Sequence, residues 1–104
     1  MSTPRQAEVW WAEVETQRRP VLVVTRSEAT EVLTGIVVAP VTRTVREIPT
    51  EIQLGPADGL PDECVASFDN LQRVNRSALT ERLGDISWRR EEICRALRAL
   101  ADCP

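Results

Sequence analysis

Residues 8–24 read EVWWAEVETQRRPVLVV, and this stretch decides the fold. Glu8–Val14 are rich in β-branched and aromatic side chains and predict a first strand. Gln17, Arg18 and Arg19 predict a short polar turn, and Pro20 takes the first position of the next strand, where a missing backbone N–H is tolerated. Val21–Thr25 then form an apolar run of strand length, the pattern of a strand covered on both faces.

The flanking sequence keeps the same rhythm of short apolar runs and turns. Residues 27–34, SEATEVLT, predict a connecting loop ending at Gly35. Ile36–Thr42 predict a third strand, with Pro40 marking a bulge or an edge. Thr42–Arg46 form a basic, hydroxyl-bearing turn leading through Pro49 and Thr50 to a fourth strand, Glu51–Leu54. Residues 55–62, GPADGLPD, are turn chemistry throughout. Cys64–Val74 predict one or two strands with Asp69 and Asn70 at the junction, and Asn75 caps a single turn before a last short strand, Arg82–Ile86. Ser87 is positioned to cap a helix from Trp88 to Ala101, with Glu91 and Glu92 early, Arg95 and Arg98 late, and Ile93, Leu97 and Leu100 on one apolar face. Five to seven strands and one C-terminal helix make a mainly β, α+β chain: a small, strongly bent antiparallel barrel with the helix packed on it, read as a single domain over 1–104.

With 104 residues, 42% hydrophobic and 28% charged, the chain reads as a soluble globular protein with a thin core, which favours a homodimer. Its apolar runs, Pro20–Val24 and Ile36–Val41, fall far short of the roughly 20 residues of a membrane span. Met1–Glu8 is polar, without a signal segment, which predicts a cytoplasmic location and no membrane association. Cys64, Cys94 and Cys103 are an odd set without a CxxC pair and read as reduced structural thiols. Trp10 and Trp11 alternate across the first strand, so one belongs to the core and the other to an interface or a base-stacking surface.

All 13 basic residues are Arg, and His, Lys and Tyr are absent. No imidazole general base, Ser-His or Cys-His pair, His-ligated metal site, Schiff base or P-loop lysine can be built. The charge is banded. Residues 18–46 carry a net +3, residues 47–72 carry −6 with no basic residue, and residues 73–90 return to +3. Such banding either builds a basic groove for a phosphate chain or solvates loops beside acidic neighbours.

The ordered strings EVWWAEV (8–14), RRPVLVV (18–24), VVAPVT (37–42), PTEIQL (49–54) and VASFDNLQRV (65–74) resemble the MazF/PemK family of toxin endoribonucleases, over roughly residues 7–100. The resemblance implies an SH3-like, CcdB-like antiparallel barrel with a C-terminal helix, and a homodimeric, metal-independent and cofactor-free ribonuclease. It would cut single-stranded RNA at short sequences, leave 2′,3′-cyclic phosphate and 5′-hydroxyl ends, and be held silent by a MazE-like antitoxin. The target implied by the resemblance would be messenger RNA, or else ribosomal or transfer RNA. The catalytic Arg of the family falls on Arg19 and the catalytic Thr on Thr42, and Asp69 matches an acidic position used by some relatives. Arg18, Arg43, Thr44, Arg46, Asn70 and Arg73 are candidates for contacting RNA, the arginines alternatively serving only as surface charge. The chain departs from the pattern in having Ala7-Glu8 for a usual Gly-Asp, only Glu15–Arg18 where many relatives carry a longer Gly-rich loop, Asn70 for a common Gln, and Ser67 at a position that is Arg in some members.

Such a cleavage recruits the ribose hydroxyl of the RNA as nucleophile, which suits a chain without imidazole. The protein must then align that hydroxyl, stabilise the phosphorane-like transition state and provide a path for two protons. Arg19 offers a planar fork of donors, and Thr42 a hydroxyl held still by β-branching. Asp69 is the candidate for orienting Arg19 or taking the ribose proton. A different class of function is a non-catalytic module on the same fold: a CcdB-like gyrase poison, or a degenerate toxin that only binds its antitoxin. Gyrase binding relies on an aromatic-Gly-Ile ending, and this chain ends Ala-Asp-Cys-Pro.

Overall fold

A computed structural model describes residues 3–101. Seven strands, β1 (Glu8–Val14), β2 (Gln17–Val23), β3 (Gly35–Thr42), β4 (Glu51–Leu54), β5 (Cys64–Ser67), β6 (Gln72–Asn75) and β7 (Leu79–Asp85), form one curled antiparallel sheet. A single helical turn, α1 (Ser27–Thr30), joins β2 to β3, and the helix α2 (Arg90–Ala101) follows β7. The strand order is β4-β5-β3-β2-β1-β7, with β6 also pairing β3. This is the bent barrel with a C-terminal helix that the sequence predicts.

Alternation along the central strands creates two cores. Val9, Leu22, Val24 and Ala39 face a cluster with Ile52, Phe68, Ile86 and Ile93, whereas Trp10, Val21, Val23, Ile36 and Val38 face a second cluster with Val74 and Leu79. Val21–Val24 are therefore buried from both sides. α2 rests on β4 and on the turn Phe68–Asn70 through Ile93 and Ala96, with Leu97 at the margin. Trp10 is buried and donates its indole N–H to Glu8, 3.0 Å away. The Glu8 carboxylate, itself buried, also accepts the Arg5 amide at 2.8 Å and Arg82 at 3.1 Å, so its charge is compensated.

Several elements differ from expectation for identifiable reasons. The polar turn is not Gln17–Arg19. These residues extend β2, with Arg18 opposite Glu13 and Arg19 opposite Ala12, and the reversal takes only Glu15 and Thr16. The hairpin tip projects beyond both cores, so its strands are polar. Pro40 does not break β3. It pairs with Val21 on one side, and on the other side it lies in the gap where the neighbour changes from β6, last paired at Val38, to β5, first paired at Val41. β7 starts at Leu79 rather than Arg82, because it follows β1 through two irregularities in register. Ser87 does not cap a helix. It begins a 3-10 turn and gives its own N–H to Asp85 at 2.7 Å, while α2 starts at Arg90. Leu100 is exposed, so the apolar face of α2 is Ile93, Ala96 and Leu97. Cys64 and Cys94 are unpaired, and Cys103 lies outside the described residues.

The loop between β4 and β5 is seated on β7 by two glycines. Gly59 has φ 95, and a Cβ there would strike the Leu83 carbonyl, while one on Gly84 would strike the Asp58 carbonyl. This close approach fixes where Leu60, Pro61 and Asp62 lie.

Candidate active site

Arg19 and Thr42 are brought together by strand register. The paired part of the β2–β3 ladder ends at Val21 opposite Pro40, and Arg19 and Thr42 each lie two residues beyond that last pair, at the same end of the two strands. Thr42 is the last residue of β3 and is held on its other side by pairing with Val65. Both side chains line an open depression of about 530 Å³, together with Gln17, Arg18, Arg43 and Thr44.

The local bonding leaves both side chains ready to donate. Thr42 Oγ1 accepts the Thr44 N–H at 3.1 Å, which occupies a lone pair and leaves the hydroxyl proton to point elsewhere. Arg19 is exposed, makes one long contact of 3.4 Å with Gln17 Oε1, and among the described residues forms no ion pair. Its neighbours are neutralised. Arg18 bridges Glu81 at 3.2 Å and lies 4.5 Å from the Trp11 ring centroid, and Arg43 pairs with Asp62 at 2.9 Å. An arginine fork without a carboxylate partner, beside a free hydroxyl proton, is arranged to receive a phosphate.

The remaining candidates are placed differently. Arg18, Arg43 and Thr44 share the depression. Arg46 is exposed on the loop after β3, with its backbone N–H bonded to Glu51. Asp69 lies in the turn after β5 and accepts the Thr50 hydroxyl at 2.6 Å, and Asn70 beside it donates to Ser67 at 2.9 Å; neither lines the depression. Arg73 folds its guanidinium over Gly35 at the start of β3, about 20 Å along that strand from Thr42. Among the described residues, no group of three or more His, Cys, Asp or Glu side chains is placed to hold a metal ion.

Two features escape a linear reading of the chain. A second cavity of about 140 Å³ adjoins the depression, sharing Val41, Thr42 and Arg43, and is closed by Trp11, Pro20, Leu60, Pro61, Asp62 and Cys64. Burial pushes the Cys64 thiol up from its ordinary range, aided by the negative charges of Glu63, Asp58 and Asp62, so this wall presents a neutral thiol. The loop after β3 is organised by Glu51, whose Oε1 accepts the N–H groups of Arg46 and Glu47, each at 3.0 Å. Only proximity to Thr42–Arg46 in sequence could have pointed to Glu51; nothing in the sequence joins Asp62 to Arg43.

The chain has relatives of known family and fold. Residues 5–102 match the family described as PemK-like, MazF-like toxin of type II toxin-antitoxin system. The chain is 38% identical over 103 residues to the probable endoribonuclease MazF5 of Mycobacterium tuberculosis, covering 96% of this chain and 94% of that protein. Among solved structures it resembles the Mycobacterium tuberculosis toxin MazF-mt6, at 30% identity and a TM-score of 0.85 over 93% of this chain and 98% of that one. It shares the fold of an endoribonuclease from Mycobacterial species solved with its cognate antitoxin, at 24% identity and a TM-score of 0.83 over 97% of each chain. A family match over residues 5–102, with a relative 38% identical over nearly the full length of both chains, shows that the chain belongs to the PemK-like, MazF-like family of type II toxin–antitoxin toxins.

Proposed function

We propose that this protein is a metal-independent toxin endoribonuclease that cuts single-stranded RNA at short sequences, as one MazF-like domain that acts in the cytoplasm as a homodimer and is silenced by a MazE-like antitoxin. The 2′-hydroxyl of a ribose gives up its proton as its oxygen attacks the adjacent phosphorus, the bond to the 5′-oxygen breaks, and that oxygen takes a proton from water, leaving a 2′,3′-cyclic phosphate and a 5′-hydroxyl. Arg19 binds the scissile phosphate and offsets the charge that grows on its oxygens. Thr42 donates to one of those oxygens and fixes the orientation. Thr44 and Arg46 hold the flanking backbone, and Arg18 and Arg43, whose single exposed contacts to Glu81 and Asp62 leave other guanidinium N–H groups unused, add donors beside it. Asp69 is the proposed acceptor of the ribose proton, and because it lies on Thr50 outside the depression, its part is the one that most needs a separate variant.

The observation that carries this reading is the pairing of an arginine free of carboxylates with a threonine hydroxyl whose proton is unspent, in one open depression. The test is incubation of the purified protein with a long RNA in EDTA, followed by analysis of fragment ends. Cyclic phosphates at discrete sites are expected, with cleavage falling about 10²- to 10³-fold in Arg19→Ala and in Thr42→Ala. In Asp69→Asn, lost cleavage in a folded protein supports the carboxylate as base, and unchanged cleavage removes Asp69 from the chemistry. Intact RNA at high protein concentration would instead favour a module that only binds.

A further inference from the structure

We propose that the 140 Å³ cavity beside Thr42 is a base subsite that selects cytosine next to the scissile phosphate, with Asp62 reading its exocyclic amine. The inference rests on the nuclease reading above and specifies the substrate of that same site. Three observations carry it.

The first is position. Thr42 and Arg43 line both the cavity and the depression that holds Arg19, so a nucleotide whose phosphate sits on Arg19 and Thr42 has its base at the cavity mouth. Single-stranded RNA can splay a base outward in this way, as a duplex cannot.

The second is size and surface. A cavity of about 150 Å³ with apolar walls is known to hold one benzene ring, so 140 Å³ is the scale of a single six-membered ring and too small for a purine. Trp11, Pro20, Leu60 and Pro61 offer flat apolar faces on which a pyrimidine can stack.

The third is the polar edge. A carboxylate only accepts hydrogen bonds, and Asp62 is the acidic side chain of this lining. Arg43 engages Asp62 Oδ2 at 2.9 Å, which leaves Oδ1 as an acceptor and offsets part of the charge that would otherwise repel a phosphate. The remaining acceptor capacity suits the N4 amine of cytosine, the donor that carboxylates read on this base. Uracil presents a carbonyl oxygen at the same place, and two acceptors facing one another repel.

The test is sequencing of cleavage ends from a random RNA pool treated with the intact protein and with Asp62→Asn. Asp62 is more than half exposed, so the variant is expected to fold, and a thermal melt checks this. With the natural protein, cytosine is expected at one position beside the cut, preferred over uracil by about tenfold, the scale of one hydrogen bond to a charged group. In Asp62→Asn, whose amide can donate to the uracil oxygen, that preference is expected to fall towards parity while cutting continues and the other positions keep their pattern. Discrete cutting with no cytosine preference, or a preference that survives Asp62→Asn, overturns the inference while leaving the nuclease reading standing, and gives the cavity to another occupant such as an antitoxin side chain. No cutting by the natural protein overturns the nuclease reading itself.

Discussion

Replacing Glu51 separates the value of a hydrogen-bond acceptor from the value of a charge. Its Oε1 takes two backbone N–H groups, from Arg46 and Glu47, and these close a turn in which Glu47 adopts a left-handed φ of 55. The side chain is buried, and its other oxygen, Oε2, has no partner among the described residues. Glu51→Ala removes both bonds, at about 1 kcal/mol each, for a total of about 2 kcal/mol. Glu51→Gln keeps an acceptor oxygen for the two amides and no longer buries an unpartnered charged oxygen, so the two changes oppose and the variant should stay within about 0.5 kcal/mol of the natural protein. For a chain of this size, 2 kcal/mol corresponds to a fall in Tm of about 8–16 °C. Urea and thermal denaturation give the two differences, and hydrogen exchange at the Arg46 and Glu47 amides reports the turn itself. Glu51→Ala should lose protection there and cut RNA more slowly, because Arg43, Thr44 and Arg46 ride on that loop. Equal damage from Gln and Ala would show that the charge matters and refute the argument from acceptors. Unchanged amide protection in the Ala variant would refute any role for Glu51 in the loop.

Other expectations follow from single contacts. Glu15 is exposed at the hairpin reversal with φ 58, so Glu15→Gly relieves a left-handed cost of about 1–2 kcal/mol against glycine's entropy of about 0.5–1 kcal/mol, and should raise stability by about 0.5 kcal/mol in a urea titration. Glu92 is held below the usual carboxylate range by its hydrogen bonds to Arg89, at 2.7 and 2.9 Å, with burial opposing. A folded-state value below the unfolded one means stability present above about pH 4.5 and lost as pH falls further, so the deficit of Glu92→Gln, no more than about 1 kcal/mol for a bridge with one third of the glutamate exposed, should vanish in acid. Arg46→Ala should flatten the dependence of RNA binding on salt by about 0.7 in log–log slope, and an unchanged slope would remove Arg46 from the groove.

Most of the fold was legible because strand signals are local. β1 and β4 occupy the ranges read from the sequence, and the Val21–Val24 run is buried on both faces as its unbroken apolarity implies. The failures share a cause. Gln17–Arg19 look like a turn because they are polar, yet they are polar because the hairpin tip extends past the core, which a linear pattern cannot express. Pro40 looks like a break because proline forfeits a ladder bond, and it is tolerated because β3 changes partners there. Ser87 has the chemistry of a cap, but it already lies inside the 3-10 turn that precedes α2, and Asp85 accepts its N–H. At the site, Arg19 and Thr42 could be named from their motifs, whereas the positions of Asp69 on Thr50 and Arg73 over Gly35 depend on which strands lie adjacent.

The sequence by itself determined the periodicity of the strands, the family resemblance and the chemistry that is missing: with no imidazole and no lysine, a nucleophile has to come from the substrate. Only the tertiary structure decided that Arg19 keeps its guanidinium free while Arg18 and Arg43 spend theirs on Glu81 and Asp62. It also decided that Leu60, Pro61 and Asp62 come to rest beside Thr42. These are contacts between residues about 20 or more apart in the chain, made by sheet register and by two glycines that let a loop lie flat on β7, and no run of neighbouring residues encodes them.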